Sequence, residues 1–450
     1  MRRERLVVIG GDAAGMSAAS QARRLRDDLD IVVFERGPHT SYAACGIPYY
    51  VGGLVQEWRA LVARTPDEFR QQGIDARVRH EVTEIDPQGH RVRVRNLDTG
   101  DAWWEPYDHL LIATGALPVR PAVPGADAEG IYGVHTLESG IRLRQIVDEG
   151  KARRVVIVGG GYIGLEMAEA MCLRGLETSL VQRGPQVMNT LDPDMGALVS
   201  DALRGIGTTL YLGEEVVAFD VKDGRLRAVI TDKRELPADM AILGMGVRPN
   251  TELARAAGIP LGVKGAIRVN ERMQTEVAGI WAAGDCAEIF HLVSRRPAHI
   301  PLGTTANKQG RVAGLNLGGR RAAFPGVVGT AVSKICSLEV ARTGLQEKEI
   351  VELGLEFVSA TVKSRTRAGY YPGAGTITVK VLAEKGTGRF LGGQIVGTEG
   401  AAKRIDVMAV ALHAGMTVDE MIHLDLSYAP PFSPVWDPVL TAVRQIVKEV

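Results

Sequence analysis

Apolar positions along the chain fall into two near-identical blocks. Residues 6–9 (Leu-Val-Val-Ile) and 155–158 (Val-Val-Ile-Val) are continuous apolar runs, the pattern of parallel strands buried on both faces. Each run breaks at glycines and passes into a stretch of small residues that reads as helix. A second short run closes each block, at Ile31–Phe34 and Thr178–Val181. Strand, glycine turn, helix and strand, repeated, predict an α/β chain with two Rossmann-like dinucleotide-binding folds.

The rest of the pattern places the boundaries. A Pro-rich break runs from Pro118 to Gly125, and a second crossing is expected at Pro249-Asn250. Beyond it, Gly279 to Asp285 reads as a further strand end facing a ligand. From about Pro325 the pattern changes to alternating strands (Thr376–Val381, Phe390-Leu391) and a helix, Ala401–Ala414, which reads as a C-terminal α+β domain. The expected division is 1–120 with 250–324, then 121–249, then 325–450; the alternative makes the last segment an extension of the first domain.

Length agrees, since 450 residues exceed what one core holds. The 53 basic residues balance the 53 acidic ones, which gives no reason to expect a nucleic acid or a membrane surface as partner. The charged start leads straight into a strand-like run and not into a signal peptide, and no apolar stretch reaches membrane-spanning length. Four widely spaced cysteines do not make a disulfide framework, so the cytoplasm is the expected compartment. The histidines show no metal-ligand clustering, and no metal is expected.

Candidate chemistry begins at the glycine turns. In a G-x-G-x-x-G turn, backbone N–H groups and a helix N-terminus meet a pyrophosphate that side chains would block. Gly159, Gly161 and Gly164 satisfy the pattern fully. In the first turn Gly10 and Gly15 remain but Asp12 replaces the middle glycine; a carboxylate aimed at a pyrophosphate would repel it, so Asp12 is expected to turn outward. Glu35, at the end of the next strand, stands where an acid bonds a ribose hydroxyl, with Arg36 beside it. The matching place in the second fold holds Gln182 and then Arg183. Loss of the acid and gain of a cation favour NADPH, or both nicotinamides, over strict NADH use; Arg183 as a plain surface charge remains open.

Cys45 lies in a Gly- and Pro-rich segment, Ser41 to Tyr50, that is expected to open a helix. A helix N-terminus lowers a thiol pKa and favours the thiolate. Cys172, Cys286 and Cys336 read as ordinary buried thiols.

With these residues in order, the chain resembles the pyridine nucleotide–disulfide oxidoreductases. The two glycine turns, the Ala113-Thr114-Gly115 strand end and Ala283-Gly284-Asp285 recur in that family's order over essentially the whole chain. The resemblance implies FAD in the first fold and NADPH or NADH in the second. It gives Glu35 to the FAD ribose and Asp285 to the ribityl chain, with Thr114 and Gly115 beside the cofactor. It makes Tyr162 the aromatic that covers the flavin until nicotinamide displaces it. Members with a local disulfide carry C-x₄-C, whereas here the partner position is Tyr50. Cys45 must therefore store oxidation as a sulfenic acid, a persulfide or a mixed disulfide.

That departure resembles the single-cysteine branch, most closely coenzyme A-disulfide reductase. Ala13 stands where peroxidases and water-forming oxidases carry a histidine, which weakens those activities. Asp425 to Pro434 resembles the segment in which a tyrosine from the second subunit, here Tyr428, sits beside the active cysteine. Tyr370 resembles a second such tyrosine, with Tyr371 the alternative. A phenol there can donate a proton to a leaving thiolate. Gln21 and Arg24 match residues that hold coenzyme A's nucleotide end, and Ser41 is a further candidate substrate contact. Ala44 departs from an asparagine common in that branch, losing an amide contact and widening the pocket mouth. The expectation is a homodimer that reduces coenzyme A disulfide, or a similar small disulfide, through a Cys45 mixed disulfide. The alternatives are an NAD(P)H oxidase, a sulfur or polysulfide reductase and, further off, a redox-sensing flavoprotein that binds a protein partner.

Overall fold

The computed structural model describes residues 3–450. In the first nucleotide fold, β1 (Arg5–Ile9) feeds α1 (Ala13–Leu25), which returns to β2 (Asp30–Glu35). The chain then passes through a 3₁₀ turn at Ala44–Gly46 into the short α2 (Ile47–Val51), and on to β3 (Asp75–Val78) and β4 (His109–Ile112). A short strand, β5 (Ala116–Pro118), leaves this fold.

The second fold repeats the plan with β6 (Ile131–Gly133), β7 (Arg154–Val158), α3 (Tyr162–Leu173) and β8 (Glu177–Gln182). It continues through α4 (Pro193–Gly205), β9 (Thr209–Leu212) and β10 (Met240–Leu243), and β11 (Val247–Pro249) leads back. There β12 (Ile280–Ala282) and α5 (Gly303–Leu317) complete the first fold. Its sheet runs β12-β4-β1-β2-β3, and that of the second β9-β8-β7-β10-β6, all parallel. β5 and β11 pair antiparallel, so the two crossings between the folds form one ribbon.

The inner strands are apolar because both faces are covered. In the first fold α1 and α5 pack on one face, while Val82, Ile85, Val92 and Val94 of an antiparallel sheet pack on the other. In the second fold Val216, Phe219, Leu226 and Val229 of a like sheet take that place. Leu6, Val7, Val8, Ile157, Ile242 and their neighbours are fully buried, each stabilising the fold by about 1.5–3 kcal/mol relative to exposure. α1 and α5 approach unusually closely, since Gly310, Gly314 and Gly318 face α1. A Cβ on Gly310 or Gly314 would collide with the carbonyls of Ala14 or Ala18.

The last domain is a five-stranded antiparallel sheet of β13 (Ala331–Ile335), β14 (Leu338–Gly344), β15 (Phe357–Arg365), β16 (Thr376–Glu384) and β17 (Phe390–Gly397). The strand order is β13-β14-β17-β16-β15. Between β14 and β15 lies a short helix, Glu347–Glu352, and α6 (Ala401–Ala414) and α7 (Pro438–Ile446) pack on the sheet. The sheet and its helices gather a core around Ile377, Val379, Ile395 and Met408 in an α+β arrangement. Cys336, read as an ordinary buried thiol, is only partly buried and occupies the turn after β13 with a left-handed backbone (φ 55°), because β13 and β14 join there in a tight hairpin. The same domain exposes Val410, Tyr370, Tyr428, Phe432, Val435 and Trp436.

Candidate active site

The two glycine turns share one geometry. Gly10 has φ +107° and Gly159 φ +104°, and at either a Cβ would press on the backbone of the neighbouring strand end, Ala113 or Gly244. Each turn is braced by the last residue of the next strand. Glu35 Oε2 accepts from Gly11 N at 2.7 Å, and Gln182 Oε1 accepts from Gly160 N at 2.8 Å. Neither helix start is capped by its own side chain, so the first N–H groups and the dipole of α1 and α3 face the cleft.

Around the first turn the charges are carboxylates. Glu35 also accepts from Gly37 N at 2.6 Å. Asp12 does not turn outward; its Oδ1 accepts from Tyr42 N at 3.2 Å, because the Ser41–Cys45 segment folds back over the turn. Burial, and then the charge of Glu35, push Asp12 up to about 6. Burial alone does the same to Asp285. Gln309 holds the Asp285 strand end by accepting from Gly284 N at 2.8 Å. Thr114 Oγ1 donates to Asn250 O at 2.6 Å and Gly115 takes φ +69°, so this pair ties the β5–β11 ribbon to the cleft. Arg36 lies close enough to His135 to help lower it, after the larger effect of burial.

Cys45 is exposed in the 3₁₀ turn before α2, with Ala43 and Ala44 also open to solvent. The expected lowering of its thiol is not found. Desolvation by the surrounding protein, followed by the carboxylates of Glu166 and Asp285, pushes Cys45 above its ordinary value. The 3₁₀ turn takes the thiol out of the first turn of α2, and desolvation with the two acids sets the direction of the shift. Ser41, at φ +47°, bonds through its backbone to Gly11 O and so anchors this segment to the first turn. Tyr50, at the place of a second cysteine, is a buried core aromatic beneath Arg144. All four cysteines are free. Cys286 is buried, Cys172 sits on α3, and Cys336 lies at its hairpin.

In the second fold Tyr162 opens α3, half-buried, and accepts from Thr190 Oγ1 at 3.4 Å. Arg183 is exposed and pairs with Glu215 at 3.4 Å. On α1, Gln21 packs beside Gly314 and Arg24 is exposed one turn on. In the last domain Tyr428 lies beside Tyr370, and that neighbouring hydroxyl raises the Tyr428 phenol. Tyr371 lies instead against Arg367, 6.0 Å from ring centre to guanidinium.

Residues 4–310 match the pyridine nucleotide-disulphide oxidoreductase model, and residues 330–438 match that family's dimerisation domain. The chain belongs to this family. It is 40% identical to an NAD(P)H sulfur oxidoreductase (CoA-dependent) of Pyrococcus abyssi, over 98% of this chain and 97% of that one. It is 31% identical to a coenzyme A disulfide reductase of Staphylococcus haemolyticus, over 95% and 96%. Among solved structures, an NAD-dependent persulfide reductase from A. fulgidus superposes with a TM-score of 0.96 at 40% identity, covering 99% of this chain and 83% of that one. As a member of this family the chain is an oxidoreductase with FAD and a nicotinamide dinucleotide as its cofactors.

The residues present fit two dinucleotides. There are two glycine cradles that a Cβ would obstruct, two uncapped helix starts, and at the first a donor set of carboxylates suited to ribose and ribityl hydroxyls. Among the described residues no helix is long and apolar enough to cross a membrane.

Sequence reasoning missed Glu166, one turn beyond Tyr162 on α3. It is a half-buried carboxylate, raised by burial, that accepts from Ser333 Oγ at 2.7 Å and faces Cys45. Its i+4 spacing from Tyr162 was a readable signal; its partner on β13 was not. The glycine face of α5 was also visible as a four-residue repeat.

Proposed function

We propose that this oxidoreductase uses NAD(P)H to reduce a coenzyme A-linked sulfur substrate through Cys45, with a persulfide or polysulfide ahead of coenzyme A disulfide. The observation that carries this reading is a single exposed thiol between two dinucleotide cradles, with no second cysteine on its own segment. The sulfur oxidoreductase and persulfide reductase among the relatives support the order of substrates, and so does the open mouth left by Ala44.

In this reading residues 1–120 and 250–324 hold FAD, 121–249 hold the nicotinamide dinucleotide, and 325–450 pair with a second copy in a homodimer of the cytoplasm. Gly10, Gly15, Glu35 and Arg36 hold the FAD nucleotide, and Asp285, Thr114 and Gly115 its ribityl side. Gly159, Gly161 and Gly164 hold the nicotinamide dinucleotide's pyrophosphate. Gln182 and Arg183 tolerate a 2′-phosphate, and Tyr162 covers the nicotinamide position until that ring enters. Gln21, Arg24 and Ser41 serve the coenzyme A moiety. Bound FAD supplies the route by which a hydride's electron pair reaches sulfur.

The chain's own part is thiol chemistry. Because its pKa is raised, Cys45 rests as a thiol near neutral pH and must lose its proton as the substrate arrives. The thiolate then attacks the outer sulfur of a persulfide, forming a Cys45 persulfide and releasing coenzyme A thiol. Two electrons and protons return Cys45 and release sulfide. With a disulfide the same attack leaves a Cys45–coenzyme A mixed disulfide. Tyr428 and Tyr370, delivered by the second copy, donate the proton to the departing thiolate, with Tyr371 the alternative to Tyr370; the nearness of Tyr370 to Tyr428 favours Tyr370 in this role.

The test is NAD(P)H oxidation with coenzyme A persulfide and with coenzyme A disulfide, reading sulfide, thiol and the mass on Cys45. Faster turnover with sulfide release is expected from the persulfide. Faster turnover of the disulfide, with a coenzyme A adduct on Cys45, would restore the disulfide reading. Oxygen uptake with neither sulfur substrate reduced would refute both.

A further inference from the structure

The segment between β8 and α4 lies beside Tyr162 yet is held by a different domain. Thr190 Oγ1 reaches the Tyr162 hydroxyl at 3.4 Å. Thr190 O accepts from Arg342 Nη1 at 2.9 Å, and Asn189 O from Lys348 Nζ at 2.9 Å. Asp192 N donates to Gln394 Oε1 at 2.8 Å, and Asp192 Oδ1 accepts from Glu347 N at 2.9 Å. Arg342, Glu347, Lys348 and Gln394 all belong to the C-terminal domain. Arg342 is itself fixed, donating to Gly344 O at 2.6 Å and pairing with Glu349 at 3.1 Å. Below, the buried Lys380 ties the same segment down through Asp194 at 2.8 Å and Asp192 at 3.3 Å. A loop whose backbone is bonded from one side at so many points has little freedom to follow a moving neighbour.

We infer that Thr190 and Arg342 are positioning residues for Tyr162, by which the C-terminal domain sets how readily nicotinamide enters the second cradle. The inference rests on the proposed covering role of Tyr162. The Thr190–Tyr162 contact holds the Tyr162 hydroxyl where the covering role places the ring. An interaction made in the free state and broken on entry opposes binding, so weakening it tightens nicotinamide affinity. Arg342 acts one step back, keeping the Thr190 segment where its hydroxyl meets the ring.

The test uses the FAD-loaded protein and calorimetric titration with NADP⁺ and NAD⁺, with KM and kcat measured beside it. Thr190→Val is expected to lower the dissociation constant and KM roughly 3- to 10-fold, the effect of one hydrogen bond, with kcat little changed. Arg342→Gln should follow in the same direction, with Arg342→Lys, which still donates to Thr190 O, near the parent. Thermal unfolding identifies any variant that fails to fold, in which case Thr190→Val alone decides. In a Tyr162→Ala background the Thr190→Val effect should vanish.

Unchanged or weaker binding in Thr190→Val would overturn the inference, and so would an undiminished effect without Tyr162. If Tyr162→Ala itself leaves nicotinamide affinity untouched, the covering role fails instead, and the two failures are told apart.

Discussion

The two nucleotide cradles are built alike and charged differently. In both, a strand delivers its last residue to the N–H of the second turn position, at 2.7 Å from Glu35 and 2.8 Å from Gln182. Backbone geometry is thus shared down to one hydrogen bond. Around the first turn stand Glu35, Asp12 and Asp285, with the last two raised to about 6. Around the second stand a neutral amide and the exposed guanidinium of Arg183. The shared backbone geometry is set by the fold, and the two cradles differ in the charge at the strand end.

In the proposed function Cys45 is served by both cradles, and removing it should have the largest effect. Cys45→Ser is expected to lower turnover of any sulfur substrate on the order of 10³-fold or more, while FAD content and nicotinamide binding persist. In cofactor-free protein, alkylation of Cys45 should quicken only as pH rises beyond the usual thiol range, as its raised pKa requires. Alkylation already complete at neutral pH would contradict that environment.

Making the first cradle like the second is the next largest change. Glu35→Gln should weaken FAD retention about 10- to 100-fold, the loss of a charge-assisted hydrogen bond, read as the flavin-to-protein ratio after dialysis. Asp12→Asn tests the crowding of carboxylates. In the unfolded chain this acid titrates near about 4, and in the cofactor-free fold at about 6. Below the lower value both states hold the proton. Between the two values the unfolded state ionises first and gains, and above about 6 the fold bears the full cost. Asp12→Asn should therefore stabilise cofactor-free protein by about 1–2 kcal/mol near pH 7, with the gain fading toward pH 4 in denaturant titrations.

The reverse exchange, Gln182→Glu, should shift the NADPH/NADH ratio of kcat/KM roughly 10-fold toward NADH by repelling a 2′-phosphate. Arg183→Ala should move the same ratio the same way by about 2- to 5-fold, as befits an exposed charge. No shift from either would mean that the contrast between the cradles does not govern cofactor choice.

Much of this was legible in the chain. The parallel strands, both glycine turns, Glu35 and Gln182 at their strand ends, and α6 within its stated limits could be read off. Each depends on residues a few positions apart, whose period and glycine spacing reflect the local backbone. The candidate site was legible in part: Cys45 stood out by its surroundings, but its charge environment did not, and Asp12 turned toward Tyr42 against expectation. Glu166 was passed over because its partner lies on another domain.

By itself, then, the order of residues determined that two dinucleotides are cradled and that one thiol stands without a local partner. Tertiary structure alone decided that this thiol is raised and not lowered, and that Arg342 reaches Thr190 across 152 positions. Backbone conformation follows from near neighbours, whereas desolvation, charge proximity and long-range hydrogen bonds exist only once packing has brought distant segments together.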